Sequence, residues 1–194
     1  MQDLFARVGG ADGTASDPVG VQTMVHIQSG HVIGDNLWLW RADHAVGGAV
    51  SKATNPCDHG IVVDGDDVTM YGLAVEHTWK DLVLWNGDRG KTFFFQSELP
   101  YIATQQEFGD PGYAGYHVSS SVKEHGGWGI GVYSNFDAYN VTVQSAIICP
   151  PAVESGFVNP LTVKLNGNGG ILHIVNNKGN SSIGSGTSVN YWCP

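Results

Sequence analysis

The feature that most limits what this chain can fold into is a degenerate repeat. Each unit is a glycine or other turn residue, a short alternating strand, then an acid. Gly34 leads LWLW to Asp43, Gly65 leads VTMYGLAV to Glu76, Gly90 leads TFFFQS to Glu98, and Gly115 leads YHVSSSV to Glu124. These glycines stand 31, 25 and 25 residues apart, with Asn140 a further 25 on and Gly167 another 27 beyond it. Further strand-like runs, HGIVV, DLVLWN and WGIGVYS, lie between them. Helical periodicity is nearly absent. A unit of about 25–30 residues with two or three short strands fits one coil of a stacked solenoid. An antiparallel sandwich would use turns such as Asn86-Gly87 at closer spacing. The repeat therefore predicts an all-β fold, a right-handed parallel β-helix in one domain. Residues 1–27 would be an irregular entry coil, 28–180 the stacked coils and 181–194 a C-terminal cap.

Composition narrows the function. Only 14% of the 194 residues are charged, the formal net charge is −9, and no basic patch is present, which argues against nucleic acid. That charge would also repel a polyanionic substrate, while a neutral polymer is compatible. Cys57, Cys149 and Cys193 match no zinc spacing and allow at most one disulfide. No apolar stretch is long enough to span a membrane. MQDLFARVGG lacks the apolar run of a signal peptide. Secretion would thus place the signal upstream and make this chain a piece of a longer protein.

The runs HVIGDNLWLWRADH, HGIVVDGDDVTMYGLAVEHT, WNGDRGKTFFFQSELPY and SVKEHGGWGIGVY carry a resemblance. They resemble a group of secreted microbial β-helix proteins in the broad pectate-lyase-like superfamily, some of which carry discoidin-type (coagulation factor 5/8) sugar-binding modules. The resemblance covers about residues 28–180. It implies a carbohydrate-active β-helix, a longer parent chain with further domains, and extracellular work. It assigns no catalytic residues.

Those are argued from position. If the coils stack in register, Asp43, Glu76, Glu98 and Glu124 form an acidic column. The glycine-to-acid distances are 9, 11, 8 and 9 residues. The two-residue excess before Glu76 keeps the same side of the strand, and the one-residue differences need a turn or bulge. Stacked carboxylates raise one another's pKa, an arrangement suited to glycoside hydrolysis, which needs one protonated acid and one carboxylate. Glu76 and Glu98 are the preferred pair, with Asp43 and Glu124 tuning it or binding hydroxyls. The competing reading is that such acids cap turns.

His44, His77 and His125 follow three of the acids and are candidates for substrate binding, though hydrogen-bonded structural roles compete. Trp38 and Trp40 alternate with Leu37 and Leu39, so inward leucines would turn both indoles outward as a sugar platform. Tyr101 and Trp128, with Trp79, Trp85 and Tyr113, lie in following segments; packing is the competing role for each. Phe93 and Phe95 are expected in the core. The long loop from Pro100 to Tyr116 would shape a cleft. Asn176 and Asn177 replace the acid in later coils as an asparagine ladder.

The expected function is hydrolysis of a neutral polysaccharide by a monomeric β-helix without a resident cofactor. Two alternatives stand beside it. One is a non-catalytic glycan-binding or adhesion module. The other is a metal-assisted lyase using a divalent cation such as calcium, with Arg41 or Lys123 as the only nearby bases.

Overall fold

Alternation of apolar and polar residues with period two puts one side of each strand inside and the other in solvent. The computed structural model describes residues 1–9, 14–44 and 50–193; Pro194, the last residue of the expected cap, lies outside them. In chain order the strands are β1 (Gln2–Val8), β2 (Val21–Ile27), β3 (Ile33–Arg41), β4 (Cys57–Val63), β5 (Thr69–Glu76), β6 (Val83–Trp85), β7 (Gly90–Glu98), β8 (Tyr116–Val118), β9 (His125–Ile148), β10 (Phe157–Val158), β11 (Leu161–Val175) and β12 (Ser188–Tyr191). The pairing β1-β3-β5-β7-β9 forms one face and β2-β4-β6-β8-β9 the other, all parallel. The long β9 and β11 run from the first face round to the second and pair with each other in parallel. The chain is a parallel β-solenoid, as the repeat predicts.

The core lies between the two faces. The first contributes Leu37, Leu39, Leu73, Val75, Phe95, Ile130 and Val132; the second contributes Ile61, Val63, Val83, Trp85, Tyr116, Val118 and Ile147. Each such side chain, fully buried, stabilises the fold by roughly 1.5–3 kcal/mol before its entropy cost. The expected loop aromatics Trp79 and Trp85 are core residues, 2% and 0% exposed. Conversely Phe93 is not in the core. It faces out and stacks between Tyr71 and Trp128, at ring-centroid distances of 5.1 and 4.5 Å.

The coils differ in length. Trp40 pairs with Glu76, 36 residues on, but Glu76 pairs with Glu98 only 22 residues on, and Glu98 with Tyr133 after 35. The glycines that suggested an even repeat therefore mark different sides. Gly34 and Gly90 lie in β3 and β7, Gly65 in the turn between β4 and β5, and Gly115 just before β8 on the second face.

Two stacked features recur among the described coils. Within the first face, Asp3, Asn36, Gly72, Phe94 and Gly129 occupy one register position, all with left-handed backbone at φ between 50° and 66°. At the corner leading into that face, polar side chains ladder from coil to coil. Asn86 donates to Asp64 at 2.7 Å, Ser119 donates to Asn86, and Asp88 accepts from the backbone N–H groups of Lys123 and Glu124 at 2.9 and 2.8 Å.

The C-terminal end is closed differently. β12 turns back and pairs antiparallel with the Leu161–Lys164 part of β11, and Ser182 and Lys178 make isolated antiparallel bridges to its second limb. Asn176 and Asn177 form no ladder. Asn176 caps the backbone N–H and carbonyl of Cys149 at 3.0 and 2.7 Å, and both asparagines hold left-handed turns. All three cysteines are free thiols, and burial pushes Cys57 and Cys149 up to about 12.

Candidate active site

β5 and β7 end on Glu76 and Glu98, which are direct register partners. Both point outward, because Val75 and Ser97 point in. Parallel neighbours lie roughly 4.8 Å apart, so the two carboxyls stand side by side. Trp40 precedes them in the same column and Tyr133 follows. The pair is the centre of what the acidic column becomes.

Each carboxyl has its own surroundings. Burial pushes Glu76 up to about 7, helped by the negative charges of Glu98 and Asp43 and opposed by a hydrogen bond from the Trp38 indole. Glu98 accepts from the Tyr101 hydroxyl at Oε2 and from Gln96 Nε2 at 3.4 Å at Oε1. Burial and the neighbouring Glu98 hold the Tyr101 hydroxyl well above the usual tyrosine range, so it stays a donor. Here one carboxyl retains its proton near neutrality while the other receives two hydrogen bonds, the asymmetry that acid and base roles require.

Asp43 is not in the Glu76 register position, lying past the end of β3, but the turn there brings it back. Its Oδ1 lies 3.8 Å from His77 Nε2, and Glu98 Oε2 lies 3.8 Å from the same nitrogen. His77 is buried and cannot bind substrate as expected; its Nδ1 donates to the Leu99 carbonyl at 3.3 Å. His44 is exposed, bonds Asp43 at 3.0 Å and leans on Trp40. Beneath them Arg41 is fully buried. It donates to the Asn55 and His77 carbonyls at 3.0 and 3.1 Å and lies 4.3 Å from the Trp79 ring centroid. Burial pulls its pKa down to about 10, still a cation at neutral pH.

Trp38 and Trp40 face outward as the alternation predicts and stack on each other at 6.0 Å, with Phe5 against Trp38 and the Arg7 guanidinium over Trp40. Trp38 is 45% exposed. The platform therefore adjoins the acids, since Trp40 is the register partner of Glu76 on the next coil.

Glu124, His125 and Trp128 lie elsewhere. His125 pairs with Gly90, at the start of β7 rather than its end, and Glu124 sits in the corner turn before it. The run YHVSSSV belongs to the second face, so the acid that follows it arrives at the opposite end of the strands. His125 is buried, with Nε2 2.9 Å from the Tyr116 hydroxyl, and burial lowers it to about 3, a neutral core histidine. Trp128 stacks on Phe93. The fourth column position is Tyr133. Gln96 was also missed, although two residues before an outward Glu98 is the same side of the strand. The loop contributes Tyr101 to the site, while its helical turn Gln105–Gly109 is tied to Thr142. Among the described residues no three His, Cys, Asp or Glu side chains gather as a metal site would need.

Known proteins share this framework. The family described as the LAM55 pectate lyase-like domain matches residues 1–98. An exo-β-1,3-glucanase from Streptomyces sp. (strain SirexAA-E / ActE) is 39% identical over 192 residues, covering 96% of this chain and 31% of that protein. A glucan 1,3-β-glucosidase from Cochliobolus carbonum is 27% identical over 195 residues, covering 81% of this chain and 24% of its own length. The structure of sacteLam55A from Streptomyces sp. SirexAA-E superposes with a TM-score of 0.87 at 36% identity, over 97% of this chain and 34% of that one. A variant of it in complex with glucose matches equally well. The chain thus spans about a third or less of these relatives' lengths.

Proposed function

The chain belongs to the LAM55 pectate lyase-like family, and from that premise we propose that it forms part of an extracellular glycoside hydrolase cleaving a neutral β-1,3-glucan. The observation that carries the proposal is the pairing of Glu76 with Glu98 on the next coil, with burial raising the Glu76 pKa to about 7. Glu76 is the general acid that protonates the leaving glycosidic oxygen. Glu98, oriented by Tyr101 and Gln96, is the carboxylate partner. The coil spacing suits attack by Glu98 itself, since retaining pairs stand about 5–5.5 Å apart. Asp43, on the other side of His77, is the carboxylate placed further off, where a water can be activated instead. Trp38 and Trp40 offer apolar faces for a sugar ring next to the acid. A neutral glucan suffers no repulsion from the net charge of −9.

The lyase alternative finds less support. It needs a basic proton acceptor, and Arg41 is buried under the site with its donors engaged while Lys123 lies at the far corner with Glu124. The proposed reaction uses no cofactor.

The test is release of reducing sugar from a linear β-1,3-glucan. Glu76→Gln and Glu98→Gln are each expected to lower kcat by about 10²–10⁴-fold with unchanged circular dichroism. Full activity in both variants sinks the assignment. Glucan binding without any product from the unaltered protein favours the non-catalytic binding module. The anomer formed first, read by proton NMR, decides between attack by Glu98 and by water.

A further inference from the structure

Glu124, His125 and Trp128 stand away from the acid pair, but they do not scatter. With Asp67, Arg89 and Lys91 they line a pocket of about 340 Å³ where the corner turns lead into β7 and β9. That volume lies within the range of about 300–1,000 Å³ usual for small-molecule sites. The pocket is on the outer side of the first face. Lys91 and Phe93 point out of β7 on either side of buried Thr92, and Trp128 is the register partner of Phe93.

The indole is placed to serve this pocket. One of its faces lies against Phe93, at 4.5 Å and 10° from parallel. The column of rings stops there, because the next coil offers Val158 at that register. A side chain at position 126 would come within 2.5 Å of the indole, so Gly126 is what lets the ring lie back along the strand toward the corner. Polar groups stand around it. Among the described residues the Trp128 indole N–H, the Lys91 ammonium and the Glu124 carboxylate make no hydrogen bond, and Lys91 and Glu124 are exposed. Arg89 is committed to Asp67, through two bonds of 2.8 Å. His125 is a neutral wall whose Nε2 is spent on Tyr116.

This lining discriminates by shape and hydrogen bonding rather than by charge. It holds two acids and two bases, so neither an anion nor a cation is favoured. A flat aromatic surface ringed by separate donors and acceptors suits a pyranose, which offers C–H groups on its face and hydroxyls around its edge. The acids lie at the other end of the same outer face, since Lys91 and Glu98 are seven residues apart on β7, roughly 20 Å. Between Trp128 and Tyr133 the residues of β9 that are not buried in the core are Gly129 and Gly131, so that strand raises no side-chain wall between pocket and acids.

We propose that this pocket is a second, non-catalytic carbohydrate site, which holds a short run of pyranose units of a neutral glycan against Trp128, with hydroxyls bonded by Lys91 and Glu124. Its use in holding a distant segment of the chain being cleaved rests on the reading of Glu76 and Glu98 as the working pair.

The test is a titration of ¹⁵N-labelled protein with a linear β-1,3-gluco-oligosaccharide, read at the indole N–H resonances. Glu76→Gln supplies the background, so that the ligand persists. The Trp128 resonance, assigned by its loss in Trp128→Phe, is expected to shift saturably. Its midpoint should survive Trp38→Ala, which removes the platform beside the acids. Lys91→Ala and Glu124→Gln are each expected to weaken this binding about three- to tenfold, with the melting temperature retained. A Trp128 resonance that does not move, or a midpoint that neither rim substitution changes, overturns the inference even in a protein that hydrolyses glucan. A midpoint lost with Trp38→Ala shows one continuous site and overturns it too, and tighter binding of an anionic oligogalacturonate overturns the neutral class. Inactivity of the unaltered protein with the Trp128 isotherm intact instead refutes only the working pair.

Discussion

Glu76 shows how one residue's environment can outweigh its intrinsic chemistry. The Trp38 indole donates a hydrogen bond that favours the anion, yet burial and two neighbouring carboxylates win and hold the proton to about 7. The consequence for stability has a definite sign. A carboxyl with a raised folded-state pKa contributes stability that is complete below its ordinary value of 4.5 and lost as pH rises through about 7. Urea unfolding at several pH values should therefore show stability falling across that window, and Glu76→Gln should flatten the fall. Equal slopes in both proteins would mean that Glu76 titrates normally. In catalysis the same group should set an alkaline limb near pH 7. At this scale the sequence was informative where a single strand sufficed. Outward Trp38, Trp40, Glu76 and Glu98 follow from period-two alternation. It was silent on His77, because whether a histidine after a strand end turns in or out depends on a left-handed residue that no local pattern announces.

At the scale of elements, register decides what meets what. Alternation identified the strands well, but the number of residues spent at each corner is free, and coils of 22 and 36 residues read alike as text. That is why Glu124 looked equivalent to Glu98 and is not. The strand before it belongs to the second face. The left-handed column offers a sharper test of the element's own energetics. Phe94 adopts φ 63° while its column neighbours Gly72 and Gly129 pay nothing for theirs, and its ring is 67% exposed. A non-glycine residue there costs roughly 1–2 kcal/mol, partly offset by the about 0.5–1 kcal/mol entropic penalty of glycine. Phe94→Gly should therefore stabilise the fold by about 0.5–1 kcal/mol in chemical denaturation. A clear loss would show that the ring packs on something that repays the strain.

For the whole molecule, the two ends of the solenoid are unlike. Antiparallel β12 covers β11, whereas among the described residues β1 and β2 have partners on one side only. Ending the chain before Ser188 should bare the Leu161–Lys164 edge and give larger particles in light scattering than the intact protein. Unchanged particle size would show that the remaining bridge at Ser182 suffices as a cap. Between those ends, the variation in coil length has a meaning of its own. The 22-residue coil is the shortest of the first face, and it is the one that joins Glu76 to Glu98. Relative to a 36-residue path, closing it costs about 0.4 kcal/mol less in chain entropy. The larger effect is mechanical: the two carboxyls are the arms of a chelate on a taut tether, with no slack through which one can drift from the other. The slack lies in the longer coils on either side, where length can vary without moving the acids apart.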